Sequence, residues 1–304
     1  MNRRYDYLII GAGPAGCYAA ARLKSAGYRT AILEKQAAGF RKVCGDGLSV
    51  GCIRKLRALG FPVHRFDDAG AVRIKRYYEV KNQSIRTQVL EDAQIAYGCP
   101  RNITDTIFQQ YAMVDSGVEI FFEYPVRQVI EESGIYRIGE FQAENLVIAS
   151  GVNCGITLAG KRILNTYDRP FGVTMIVRSD RTEEEPFFLF DYDRGSEHTY
   201  AWIFYIGNKR YNIGLWSRQK NKDISKYLMQ FYQEQAACRI KGNLSIESRI
   251  RGSYLGIGEP SEEYSNGIAR IGDAANTCDM LSGEGISGAI MSADRFVNRM
   301  LKNE

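Results

Sequence analysis

The chain has 304 residues, with 40 Lys and Arg against 35 Asp and Glu, a formal net charge of +5. Apolar residues make up 45% and charged residues 25%, a globular composition that excludes a disordered tail, a collagen and a small disulfide-stapled module. Basic residues form no long run and match no nucleic-acid motif, so no nucleic-acid partner is expected; the mild excess suits an anionic ligand or a peripheral encounter with a membrane surface.

In chain order, residues 5–10 (Tyr-Asp-Tyr-Leu-Ile-Ile) read as a short buried strand. Gly11-Ala-Gly-Pro-Ala-Gly16 follows at once, then a small-residue helix over 17–26, a second strand over 29–33, and Glu34. This strand–GxGxxG–helix–strand–acid order is that of a dinucleotide fold. Gly11 permits the tight turn, Gly13 lets the backbone approach a pyrophosphate, and Gly16 lets helix and strand pack closely. Pro14 suits the first helical turn, where its missing N–H is not needed. The helix N-terminus presents free N–H groups to phosphate, and Glu34 can accept from ribose hydroxyls. Next comes a glycine-flanked loop, Lys42-Val-Cys44-Gly45-Asp46-Gly47-Leu48. Cys44 follows Arg41 and Lys42, and neighbouring positive charge lowers a thiol's pKa. It is a candidate proton donor; a small residue packed against a planar ring is the alternative.

Residues 71–80 and 84–90 alternate as half-buried strands do. A helix is expected over 103–116, and strands ending at Leu146-Val-Ile-Ala149. Several more strands fall within 171–257, with a helix near 224–237. The aromatic stretch from Phe187 to Tyr211 includes Tyr200, Trp202 and Phe204. Alternate members of its strands share a face, either as ordinary sheet core or as an apolar substrate pocket. Residues 267–271 read as a strand ending in Gly272-Asp273-Ala274-Ala275. Gly283-x-Gly285-x-x-Gly288 then opens a helix running to about 300. No strand leads into this second GxGxxG, so it is not a second dinucleotide fold. Asp273 suits ribityl hydroxyls, and the helix N–H groups suit a flavin pyrimidine.

Seven cysteines, an odd number with no C-x-x-C, point to reduced thiols in a cytoplasm. His64 and His198 are the only histidines and sit in no ligand-like cluster, so neither a metal site nor a Ser-His-Asp hydrolase is expected. Glycines and Pro14 interrupt the apolar run over 7–21, which argues against a signal peptide. No uninterrupted apolar stretch is long enough for a membrane span.

Taken together, the glycine motifs resemble those of the FAD-dependent oxidoreductases of the p-hydroxybenzoate hydroxylase fold. Lys42-Val-Cys44-Gly45-Asp46-Gly47-Leu48 is similar to the Lys-x-Cys-Gly-Gly-Gly-Leu element of geranylgeranyl reductases. Tyr200-Ala-Trp202-Ile-Phe204 with Asn212-Ile-Gly214 resembles that family's Tyr-x-Trp-Ile-Phe-Pro and Asn-x-Gly pair. Arg101 matches the Arg before its Phe-Asp-x-x-Leu helix. The resemblance spans nearly the whole chain. It implies an α/β fold: a Rossmann-like FAD-binding domain (glutathione reductase/p-hydroxybenzoate hydroxylase type) with an inserted, mostly antiparallel β-sheet substrate domain roofing the flavin. The expected FAD domain is discontinuous (1–70, 100–165, 265–304), with 71–99 and 166–264 as the cap. One FAD is implied, lined by Ala15, Glu34, Cys44, Gly45, Gly47, Arg101, Val126 (through its backbone, near the adenine), Asp273, Gly285 and Ile286, with Gly11, Gly13, Gly16 and Lys42 of the same motifs.

Several positions depart from the family pattern. Asp46 and Asn276 stand where Gly is usual, Met280 and Tyr205 where Pro is usual. Ala149-Ser-Gly-Val-Asn153 replaces the Asp-Gly element of hydroxylases that take hydride directly from NADPH. The family usually carries a further C-terminal region, whereas this chain ends 18 residues after Ile286. The shortness argues against a long lipid chain as substrate. The implied activity is reduction of C=C bonds in an isoprenoid-like or other apolar small molecule. Cys44 or water is the proton donor, and NAD(P)H or a redox protein the external electron donor. A flavin monooxygenase or halogenase-like enzyme and a non-catalytic electron carrier or redox sensor are the alternatives.

Overall fold

The computed structural model describes residues 3–152, 155–158, 161, 162, 169–194, 199–218, 222–259, 261, 264–280 and 282–302. Cys154 and His198 lie outside them. The chain divides into two compact units, 1–40 with 105–167 and 255–304, and 41–104 with 168–254. The first boundary, expected near residue 70, falls instead after residue 40. Its cause is local pairing: Gly47–Leu48 and Val72–Arg73 both pair with Tyr97–Gly98 in one three-stranded sheet, all within the second unit.

The first unit is built on five parallel strands in the order Glu119–Phe121, Thr30–Leu33, Arg3–Ile10, Phe141–Ile148, Ile268–Arg270. Fully buried parallel strands need continuous apolar runs. Thr30–Leu33 is buried along its length, as are Leu8 and Ile9 at 0% exposure. Gln128–Glu132 and Ile135–Ile138 extend the sheet as an antiparallel meander on Phe141–Ile148. Helix Pro14–Ser25 follows the first strand, and its alanine-rich surface is buried. It packs against helix Gly285–Lys302. The interface carries one partly buried polar cluster: Arg22 donates to Asp294 at 2.8 Å, and the Tyr18 hydroxyl donates to the same carboxylate at 3.2 Å. Burial pushes the Tyr18 hydroxyl up to about 12.

The second unit holds a sheet in the order Leu244–Ile246, Phe171–Ser179, Arg210–Ser217, Ala201–Tyr205, Phe187–Asp191, Arg76–Lys81, Ser84–Val89, with Arg251–Tyr254 also on Phe171–Ser179. All its pairings are antiparallel except Phe187–Asp191 with Arg76–Lys81, in agreement with a mostly antiparallel insert. The period of two sorts the side chains. Val173, Met175, Val177, Phe187, Leu189, Ile203, Tyr211 and Ile213 form a core with Ile224, Leu228 and Phe231 of helix Ile224–Phe231. Phe188, Phe190, Trp202, Phe204, Asn212 and Gly214 take the alternate positions. Ser84–Val89 is exposed at every residue, not half-buried as its alternation implied. It is the edge strand, paired only with Arg76–Lys81, so its pattern has no packed layer to serve. Among the described residues no helix is long and apolar enough to cross a membrane.

Candidate functional site

In the first unit the glycine turn has two kinds of glycine. Gly11 has φ +112°, and a Cβ there would lie 2.5 Å from the Ala149 carbonyl oxygen. A Cβ on Gly16 would lie 2.0 Å from the Gly11 carbonyl oxygen. Both are therefore demanded by backbone packing. Gly13 is different. It is the N-cap of helix Pro14–Ser25, with φ −79° and ψ 180°, and a Cβ there would meet nothing within 4 Å. Its missing side chain leaves the helix N-terminus open, and no side-chain cap covers that end.

Glu34 closes the motif, as its place at the end of the second strand requires. One carboxylate oxygen accepts from Ala12 N at 2.8 Å and the other from Gln36 N at 2.9 Å. A carboxylate has about four acceptor positions, so each oxygen retains capacity. Gly11, Glu34 and Val126, expected to share a ligand, line one pocket together with Lys35, Tyr124 and Ser150. The last three were missed in the sequence. For Ser150 the signal available was the loop at the end of Phe141–Ile148, the parallel neighbour of Arg3–Ile10. The Ser150 hydroxyl oxygen is buried and has no partner among the described residues.

The second glycine cluster lies in the same unit. Gly272 has φ +64° and begins the short turn Gly272–Ala275; a Cβ there would press on Ala15 Cβ at 3.1 Å. Asp273 packs so closely on Gly256 that a Cβ on that glycine would lie 2.6 Å from the Asp273 Cβ. The position of a Cβ on Gly285, first residue of helix Gly285–Lys302, lies 3.3 Å from Asp273 Oδ1, so the carboxylate stands beside that helix N-terminus. Ile286 is buried. Gly288 is a packing glycine, since a Cβ there would lie 1.9 Å from the Thr277 carbonyl oxygen.

In the second unit the loop of residues 42–46 lies on the aromatic sheet face. Cβ atoms on Gly45 and Gly47 would meet the Trp202 and Phe204 rings at 3.1–3.4 Å. Tyr200, Trp202 and Phe204 are 7%, 8% and 7% exposed and form one ring cluster with Phe188 and Phe190. Gly214 seats the indole, because a Cβ there would lie 2.1 Å from Trp202 Cζ2. Trp202 Nε1 donates to Asn212 Oδ1 at 2.9 Å. Thus the aromatic and Asn-x-Gly motifs are one packing unit.

Cys44 is half-buried, unlike Cys17, Cys52, Cys99 and Cys278, which are buried. Burial pushes the Cys17 thiol well up. Arg41, expected to act on the thiol, pairs instead with Asp46. Asp46 Oδ1 accepts from Arg101 N at 2.8 Å, and Oδ2 accepts from Asn212 Nδ2 at 2.7 Å and from the Arg41 guanidinium. Burial pushes the Asp46 carboxyl above its ordinary value, against the pull of Arg41, Asn212 and the Arg101 N–H. Arg101 and Cys44 are thus linked through Asp46 and Asn212, since Asn212 Nδ2 also donates to the Cys44 carbonyl at 2.8 Å.

Residues 4–135 match the family described as FAD binding domain. The chain is 24% identical to the digeranylgeranylglycerophospholipid reductase 1 of Methanococcoides burtonii, over 95% of its own length and 72% of the relative's. This likeness to a curated digeranylgeranylglycerophospholipid reductase runs along nearly the whole chain. The fold of this flavoprotein is shared with a geranylgeranyl bacteriochlorophyll reductase-like protein from Thermoplasma acidophilum, at TM-score 0.80 and 21% identity over 99% of this chain and 80% of that one. A myxobacterial chondrochloren halogenase shares it at TM-score 0.80 and 18% identity, over 99% of this chain and 76% of the halogenase.

The residues of the flavoprotein's first unit fit an adenine dinucleotide. The open helix end at Gly13 suits a pyrophosphate. The spare acceptor capacity of Glu34 and the unpartnered Ser150 hydroxyl suit the ribose hydroxyls of an adenosine in the adjoining pocket.

Proposed function

We propose that this flavoprotein reduces carbon–carbon double bonds in an isoprenoid-like or other apolar substrate. The observation that carries the reading is the loop holding the half-buried Cys44 thiol, laid on a sheet face of Phe188, Trp202 and Phe204. Such a setting offers a proton donor and apolar rings, and the likeness to a prenyl-lipid reductase supports it. FAD, when bound, supplies hydride-transfer chemistry.

In the first unit, Gly11, Gly13, Ala15 and Gly16 present the open helix end to the pyrophosphate. Glu34 holds the ribose, Val126 backs the adenine, and Asp273 accepts from the ribityl hydroxyls. The N–H groups at Gly285 and Ile286 serve the pyrimidine. In the second unit, Lys42, Cys44, Gly45, Gly47 and Arg101 line the flavin. Cys44, or water beside it, donates the proton that completes addition across the double bond. Tyr200, Trp202 and Phe204 exclude water and favour an apolar chain. Electrons come from NAD(P)H or a redox protein. The six cysteines found free among the described residues support a reducing cytoplasm, and the membrane contact proposed is a peripheral one.

The test is anaerobic. The FAD-loaded chain, reduced chemically and mixed with a geranylgeranyl lipid, should add hydrogen across its double bonds, read by mass spectrometry. Oxygen-dependent halogenation or hydroxylation without anaerobic reduction overturns the reading in favour of the halogenase-like alternative. Flavin reduction by a protein donor with no organic turnover favours an electron carrier.

A further inference from the structure

Asp46 stands in the left-handed region at φ 62° and is 2% exposed. Glycine is the least strained residue for that backbone, and an L-residue is strained there. A costlier residue that is also a buried carboxylate requires a compensating role, and the contacts show one.

Residues 41–46 contain no helix or strand. The part around Cys44 is held chiefly through side chains. The Arg41–Asp46 ion pair closes the loop on itself, with Cys44 inside the closed segment. Arg251 donates to the Arg41 carbonyl at 3.3 Å, and Cys99 N donates to the Asp46 carbonyl at 2.8 Å. The Asn212 amide bridges the Asp46 carboxylate and the Cys44 carbonyl. Its orientation is set from the other side, where Oδ1 accepts from Trp202 Nε1. An indole N–H can only donate, which leaves the NH₂ group one way to face. Glycine at 46 supplies none of the carboxylate contacts.

We infer that Asp46 is a positioning residue: its carboxylate closes the Arg41–Asp46 segment and, with Asn212, holds Cys44 in a single place. The inference rests on the proposal that this loop lines the flavin. Its first measurement does not depend on which reaction the enzyme performs.

The measurement is the alkylation rate of each cysteine in the FAD-loaded full chain, resolved by peptide mass spectrometry with N-ethylmaleimide. Exposed Cys238 is the internal reference, and buried Cys52 and Cys99 report the integrity of the same unit. Asp46→Gly and Arg41→Gln should each raise the Cys44 rate about tenfold, leaving Cys238 unchanged and Cys52 and Cys99 protected. A Cys44 rate within about twofold of wild type in a folded variant overturns the inference. Should Asp46→Gly expose all cysteines together, Arg41→Gln, altered at a partly exposed side chain, decides alone. The second measurement is the visible absorption band of the bound flavin. It should change in shape or position in both variants while FAD remains bound. A freed Cys44 with an unaltered band makes the clamp merely structural and overturns the positioning role. A chain that shows both effects and reduces no alkene keeps Asp46 as a positioning residue and loses the reductase reading.

Discussion

Two glycines a turn apart do different work. Gly16 is fixed by the backbone: a Cβ would collide with the Gly11 carbonyl, so Gly16→Ala is expected to cost about 3 kcal/mol or more, read by chemical denaturation. Gly13 has open space and an ordinary φ, so Gly13→Ala should cost no more than about 1 kcal/mol, the loss of a tolerable cap residue. Its effect falls on the ligand: FAD affinity, followed by flavin fluorescence, should drop about tenfold or more. Equal losses in the two variants would refute the distinction. A second residue-scale prediction concerns Asp67, which accepts from Arg73 Nε and Nη2 and from the Tyr97 hydroxyl, each at 2.8 Å. Arg73 holds its carboxyl below the usual range, while burial pushes Tyr97 up to about 12. A depressed carboxylate contributes stability above its ordinary pKa and loses it as pH falls through the folded value. Asp67→Asn should therefore cost about 1 kcal/mol at neutral pH, mostly from the buried Tyr97 hydroxyl, and the gap to wild type should shrink below about pH 4 in denaturation curves.

At the scale of elements, the nucleotide-binding strand, turn, helix and acid were readable because each rests on local chemistry. The strand read over 5–10 is Arg3–Ile10, and the helix read over 17–26, with Pro14 in its first turn, is Pro14–Ser25. The helix expected over 103–116 is Arg101–Gln110, followed by a wider-wound turn over Tyr111–Asp115. The aromatic strands were readable as strands, and alternation divided them correctly into two faces. What alternation could not reveal was that Trp202, Asn212 and Gly214 interlock, because that depends on strand register. Nor could it reveal that Asp46 gathers Arg41, Arg101 and Asn212. Those partners lie up to 166 residues away in the chain. Ser84–Val89 failed for the opposite reason: the pattern was present but nothing packs on it.

For the whole molecule, the notable fact is that the chain passes between its two units four times, after residues 40, 104, 167 and 254. Each unit therefore draws its sheet from separated stretches. Arg76–Lys81 pairs with Phe187–Asp191, and Arg3–Ile10 with Phe141–Ile148. A fragment of residues 41–104 alone lacks the strands that cover its apolar side chains, and far-UV circular dichroism should show it largely unfolded. Co-expression with 168–254 should restore strand signal, because the pair contains the full sheet of the second unit. A folded isolated 41–104 would contradict this account.

The same interleaving governs how the protein is made. Arg3–Ile10 leaves the ribosome long before Phe141–Ile148, its parallel neighbour on one side. At ordinary synthesis rates the delay is on the order of ten seconds. During that time Leu8, Ile9 and Ile10, which end among the most buried side chains, have only part of their sheet to pair with. The closing helix Gly285–Lys302, which packs on Pro14–Ser25, comes later still. The order of translation thus leaves the nascent nucleotide-binding half in need of shelter, by a chaperone or by slow elongation, until nearly the last of these segments has emerged.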